Sequence, residues 1–287
     1  MESELLSLKL ALLAFGVLRT PARIAAALKA GGRDAIAQAA RAAESSMAAN
    51  SDLKASQLHS DGVRAVIYGD SDFPGMLVAN GKPLAPVLFF KGNKDLLYSD
   101  GVGMCGSRHA SRQGLIAADR CGAAVSLRDL TIVSGYAKGV DTATHLAALQ
   151  NGGRTVIVLA EGIDHFRIKR EFAEDFDPER TLVISQFSPT QPWQAHAAMA
   201  RNSIIFGLSR ALVVIEAGEK GGTLAAGEGA MKLGRPVMVV DFGDATPAGN
   251  RMLLEAGATP IRAPGALHAF LDNLPRGPMT DSPVELF

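Results

Sequence analysis

The chain has 287 residues, 47% of them hydrophobic and 20% charged, with 29 basic side chains balanced by 29 acidic ones. That length holds one large α/β domain with an appendage, or two domains. Balanced charge excludes a global basic field, so any nucleic-acid contact must use a local patch. Cys105 and Cys121 lie in apolar runs and are too few for a disulfide framework, so buried, reduced thiols of a cytoplasmic protein are expected. The start, Met1-Glu2-Ser3-Glu4, is too acidic for a secretory signal, and no apolar run approaches the ~18 residues of a membrane span.

Residues 1–60 read as a small helical (SAM-like) domain. A leucine-rich helix (Leu5, Leu6, Leu8, Leu10, Leu12, Leu13) leads to Thr20-Pro21, a cap with proline at the first helical position. A second helix runs to Gly31-Gly32, and an alanine-rich helix follows.

Residues 61–264 alternate strands with helices. Strands are expected at Val63–Tyr68, Pro86–Phe90, Val102–Cys105, Thr131–Ser134, Thr155–Ala160, Thr181–Ser185, Ala211–Glu216 and Pro236–Asp241. Most are continuous apolar runs, the pattern of parallel strands covered on both faces. Helices are expected near 111–128, 140–151, 196–208, 222–233 and 249–256. This repetition predicts an α/β fold with a Rossmann-like, doubly wound, mostly parallel sheet, whose ligands sit at the C-terminal strand ends. Residues 265–287 predict a short helix and a tail. That tail ends Val284-Glu285-Leu286-Phe287, which either covers an apolar patch of its own protein or docks as a short peptide on a partner such as a sliding clamp.

Four strand-to-helix junctions concentrate glycine, hydroxyls and cations: Gly106-Ser107-Arg108; Ser134-Gly135-Tyr136-Ala137-Lys138-Gly139; Arg201-Asn202; and Glu219-Lys220-Gly221-Gly222-Thr223. Glycines let backbone approach an anion, and helix N-termini with one cation per loop make a phosphate cradle. An arginine at a helix start opposes the helix dipole, so Arg201 is expected to serve a ligand. Asp141 is a plausible N-cap, and its i, i+4 spacing from His145 is explained by a local side-chain pair.

Enzymatic signatures are scarce. Gly101-Val102-Gly103-Met104-Cys105-Gly106 matches G-x-G-x-x-G literally. The strand's own apolar residues lie between these glycines, so only Gly106 reaches the turn and the dinucleotide fingerprint fails. There is no phosphate-loop lysine motif, no nucleophile elbow and no metal spacing among the six histidines. No catalytic residue, metal or cofactor is predicted.

With these junctions in place, the chain resembles the DNA-processing protein A family (DprA, also called Smf) over about residues 66–259. Tyr68 to Pro74 with Pro83, Pro86 and Gly92 is similar to the family's entry motif. Cys105-Gly106-Ser107-Arg108 matches "VGSR", and Val133 to Asp141 with His145 matches "VSGLARGID..AH". Gly162-Ile163-Asp164, Arg201 to Ser209, Val213 to Ala217, Gly221 to Leu224, and Gly249-Asn250 with Gly257-Ala258 match the remaining motifs in order. Against the family pattern, Arg167 stands for Pro, Arg170 for Asn, Ser203 for the second Arg of "RNR" and Gln186 for Glu, and residues 264–287 are too short for a winged-helix domain.

The resemblance implies a non-catalytic single-stranded DNA binder that forms a homodimer and helps load the RecA recombinase in DNA recombination and natural transformation. Arg108, Lys138, Arg201 and Lys169 or Arg170 would then hold successive phosphates, with Tyr136 or Phe166 offering stacking faces. A different class of function, a nucleotide sensor or phosphoribohydrolase-like nucleotide-processing enzyme, would use the loop Lys220 to Thr223. Its motif is incomplete, because the proline is absent and Glu228 lies two residues too far along.

Overall fold

Residues 2–42 and 45–277 are described by the computed structural model; the terminal residues 282–287 lie outside them. Three helices come first. α1 (Glu2–Leu18) is followed by α2 (Pro21–Arg41), which begins where Thr20 Oγ1 accepts the Arg23 N–H at 3.4 Å and Pro21 fills the first helical position. α2 breaks internally at Gly31-Gly32, where Gly32 has φ of +58°, a conformation that costs glycine nothing. α3 (Ser45–Ser60) leads to the sheet.

The strands are β1 (Arg64–Ile67), a small hairpin of β2 (Val78–Ala79) and β3 (Lys82–Pro83), β4 (Val87–Gly92), β5 (Gly101–Cys105), β6 (Thr131–Ser134), β7 (Arg154–Val158), β8 (Thr181–Ser185), β9 (Ser209–Val214), β10 (Val237–Val240) and β11 (Thr259–Ile261). Between and after them run α4 (Arg112–Ser126), α5 (Val140–Gln150), α6 (Ala195–Ala200), α7 (Asn202–Gly207), α8 (Gly222–Lys232), α9 (Ala248–Glu255) and α10 (Pro264–Asp272). Eight predicted strands are present within a residue or two at most ends. The helix expected over 196–208 is interrupted at Arg201 and forms α6 and α7.

Nine strands make one sheet in the order β1-β4-β8-β7-β6-β5-β9-β10-β11. The strands from β8 to β11 are mutually parallel, while β4 runs antiparallel to both β8 and β1. The chain winds outward from β5 to β8, returns to the other side of β5, and winds outward again through β9, β10 and β11. The order therefore reverses between β5 and β9, and that switch point is where a doubly wound sheet opens its ligand crevice.

Alternate residues of one strand enter different cores. Val66, Leu88, Val156 and Ile184 pack with Ile204, Phe206, Leu224 and Leu253 of α7, α8 and α9. On the opposite face, Val102, Ile132 and Val213 pack with α4, α5 and α10. Ile67, Phe89, Ile157 and Val183 on that same face pack with Leu8, Ala11, Ile24 and Leu58. The N-terminal helices thus share a core with the sheet, covering the strands that α4 and α5 leave bare. No single helix among the described residues is long and apolar enough to cross a membrane.

Candidate functional site

A crevice of about 440 Å³ opens at the switch point, beyond the C-terminal ends of β5 and β9. Its walls draw on all four glycine-rich junctions: Gly106, Ser107 and Arg108; Ala137 and Asp141; Arg201 and Asn202; Lys220, Gly222 and Thr223. Ser134, Gly135, Lys138, Gly139, Gly221, Lys169 and Arg170 are not among its lining residues. Side-chain bonds stitch the walls together. Thr223 Oγ1 donates to the Gly106 carbonyl at 3.1 Å, and Asn202 Nδ2 donates to the Gly222 carbonyl at 2.9 Å.

Arg201 does internal work. It is 8% exposed, its Nη1 donates to the Val158 carbonyl at 2.8 Å, and its Nη2 meets Asp141 Oδ2 at 3.3 Å. A Cβ on Gly135 would fall 1.7 Å from Nη1, so Gly135 is glycine to let this guanidinium pass. Arg201 Nε has no partner among the described residues. Asp141 is therefore not the N-cap of α5; Gly139 holds that position, and Asp141 accepts the Ala137 N–H from inside the first turn.

His145 makes a different pair from the one expected. Its Nε2 lies 2.5 Å from the Gly135 carbonyl, which fixes the proton there, and Nδ1 accepts from the Thr155 hydroxyl at 2.6 Å. Burial holds its pKa down at about 4. The imidazole is a neutral brace between β7 and the β6–α5 loop. Cys105, at the end of β5, is buried, and burial pushes its thiol far up. Cys121 is pushed up to about 12 by the same cause. Neither is a nucleophile.

The helix N-termini at the crevice differ. That of α4 is filled: Ser111 caps it, and the Glu216 carboxylate accepts from both the Ser111 hydroxyl and the Ser111 N–H. The carboxylate closing β9 is thus an internal anion for α4, and Gly114 gives it room. The N-terminus of α8 carries no side-chain cap. Gly221 there has φ of +114° with open space where a Cβ would lie, whereas Gly106 and Gly139 are packed against Val140 and the Ser107 carbonyl. Exposed Lys220 and Arg108 flank this open end. Uncapped N–H groups with two exposed cations beside them can take an anion.

Outside the crevice, Ser134 Oγ donates to the Met104 carbonyl within the sheet. Lys169 Nζ donates to the Tyr136 carbonyl at 2.7 Å and sits 4.1 Å from the Tyr136 ring centre. Burial lowers the Lys169 pKa. Tyr136 also packs on Phe166 and Phe172, so both expected stacking rings are half-buried members of one aromatic cluster. Lys138 and Arg170 are exposed on their loops. Sequence reasoning missed Trp193, which stands at the crevice with the Arg108 guanidinium 5.5 Å from its ring centre. Being the chain's single tryptophan, in a polar loop, was the available signal.

Sheet order and crevice together define a doubly wound α/β protein with a basic cleft at its switch point. Within that class, residues 64–272 match the family model described as DNA recombination-mediator protein A, and the chain belongs to that family. It is 42% identical over 179 residues to DNA processing protein DprA of Streptococcus pneumoniae, a stretch covering 61% of this chain and 63% of that protein. The matched part is thus just under two thirds of the relative's length. A crystal structure of DprA from Streptococcus pneumoniae superposes with a TM-score of 0.71 at 27% identity, covering 94% of this chain and 97% of that one. A structure of DNA processing protein A from Helicobacter pylori, described for its mode of binding single-stranded DNA, has the same fold. Its TM-score is 0.63 at 20% identity, over 73% of this chain and 97% of that one.

Proposed function

We propose that this chain is a non-catalytic recombination mediator that holds single-stranded DNA by its backbone at the switch-point crevice, as a homodimer, and passes the strand to a RecA-type recombinase. The observation that carries this reading is the convergence of exposed Arg108 and Lys220 on the uncapped N-terminus of α8. Lys138 and Arg170, exposed on neighbouring loops, extend the positive rim along a strand. Asp141, the carboxylate lining the crevice, is tied to Arg201, which supports holding over chemistry. Glu228, which a nucleotide hydrolase would need, is exposed and lies outside the crevice lining. The family's description as a recombination mediator supports the RecA partnership. Leu115 and Ile116 on α4 and Leu127 at its C-terminal end stand exposed beside the groove formed with α10, and support a second copy there. Fluorescence anisotropy of a labelled oligothymidylate, competed with unlabelled oligomer and with thymidine monophosphate, tests the central claim. The oligomer is expected to compete far better, and equal competition by the mononucleotide would overturn it.

A further inference from the structure

A second cleft, of about 760 Å³, lies between the N-terminal helices and the sheet. Its floor is apolar, made by Leu12 and Phe15 of α1 and Phe187 just after β8, and its rim carries Arg19, Lys54 and His196. No aspartate or glutamate is among its described lining residues. The helix α6 stands between this cleft and the switch-point crevice. His196 and Ala200 line the cleft, whereas Ala195, Ala198 and Met199 line the crevice.

The cations of the rim are not equivalent. Lys54 is already paired, with Asp164 at 2.5 Å. Arg19 and His196 are exposed, and neither has a side-chain partner among the described residues. Arg19 follows α1 with φ of +66°, a left-handed conformation that glycine adopts freely and a residue with a side chain does not. Glycine is the residue that such a helix end ordinarily takes, so the turn itself gives no reason for an arginine. What the arginine adds is an uncompensated positive charge beside an apolar floor.

Clefts of this size at the junction of two structural units, apolar within and holding a few convergent polar groups, are the common form of small-molecule sites. We propose that this cleft binds a small organic anion, one with an apolar body and a single carboxylate, phosphate or sulfonate head. The body lies on Leu12, Phe15 and Phe187. The head meets the Arg19 guanidinium through charge-assisted hydrogen bonds, with the His196 imidazole as a second donor. Seated there, the molecule lies among α1, α3 and α6 and ties the N-terminal helices to the outer side of the crevice wall. The inference goes beyond the strand-binding reading and stands without it, because cleft and crevice share no lining residue.

The test titrates the full chain with anilinonaphthalene sulfonate, an aromatic anion that fluoresces in apolar surroundings, and with phenylnaphthylamine, its uncharged counterpart. The sulfonate is expected to bind saturably and more tightly than the amine. Arg19→Gly should weaken the sulfonate by roughly 10-fold or more, the loss of one charged hydrogen bond, and leave the amine unchanged. Glycine takes the backbone angle of Arg19 without strain, so this variant should melt close to the parent and its lost binding is not lost folding. His196→Ala should weaken the sulfonate several-fold, and it covers the case in which Arg19→Gly folds poorly. Saturating oligothymidylate should leave the sulfonate bound. Failure of the sulfonate to bind, or equal affinity in the parent and both variants, would overturn the proposal. Displacement by the oligothymidylate would overturn it in favour of a strand that runs on into the cleft. The strand-binding reading fails separately, on the anisotropy competition above.

Discussion

Arg201 and Asp141, 60 residues apart in sequence, form an ion pair in the crevice wall, both side chains more than nine-tenths buried. Removing one partner of such a pair strands the other charge in a poorly solvated place. Arg201→Ala also loses the bond to the Val158 carbonyl and empties the space over Gly135. It is expected to cost about 3–5 kcal/mol. Asp141→Asn keeps a polar group at the same place and should cost clearly less. Urea unfolding of the two variants checks the order, which reverses if the carboxylate is the more important partner.

Arg108 and Lys138 are predicted to behave in the opposite way. Both are exposed on loops, where truncation changes stability by under about 0.5 kcal/mol. Each lost charged hydrogen bond to a phosphate should cost about 1.5–3 kcal/mol of binding. Alanine variants with unchanged melting and weakened oligonucleotide binding are the expected result. Wild-type affinity in both would place the strand elsewhere.

The contrast between Arg201 and Arg108 shows what the residues disclosed and what they withheld. Both occupy family-like motifs at strand ends, and the continuous apolar runs located those ends well. Sequence alone does not tell a guanidinium that reaches outward from one folded back onto Val158 and Asp141, because the difference lies in contacts between segments 43 and 60 residues apart. Glycine carries the same ambiguity. It signals a close approach, yet at Gly135 the approaching group is Arg201, while at Gly221 the space is open. β11 escaped notice because it has three residues, one of them Pro260, at the sheet edge. The antiparallel direction of β1 and β4 is set by pairing partners, which an apolar run does not encode.

The two kinds of glycine separate experimentally. Gly135→Ala drives a methyl group to 1.7 Å from the Arg201 guanidinium, and should destabilise by several-fold more than the ~1 kcal/mol of a typical substitution. Gly222→Ala meets nothing nearer than Met199 Sδ at 3.5 Å, an ordinary contact. It should melt close to the parent, because alanine is the better helix former. Thermal unfolding of the two variants decides it, and equal melting temperatures would contradict the packing of Arg201 over Gly135.

His145 gives a pH dependence whose sign follows from its burial. Its folded pKa, about 4, lies below the ordinary 6.5, so between those values the unfolded chain binds more protons than the folded one. Stability is full above about pH 6.5 and falls as pH drops toward 4, by on the order of 3 kcal/mol across the window. Most carboxylates titrate at or below the lower edge of that window. The urea midpoint should therefore decline between pH 6.5 and 4.5, and His145→Asn should flatten the decline. A midpoint independent of pH there in the parent chain would argue against a neutral, buried imidazole.

Salt reports how many phosphates the cleft holds. A strand gripped by Arg108, Lys138, Lys220 and the end of α8 makes about 3–5 phosphate contacts, and log affinity should fall with log salt at a slope of about −2 to −3.5, since each contact on a single strand contributes about −0.7. The slope is informative because the chain has no net charge, so any salt dependence reflects local contacts. Arg108→Ala and Lys138→Ala should each make the slope shallower by about 0.7. A near-zero parent slope would remove the phosphate grip from the explanation.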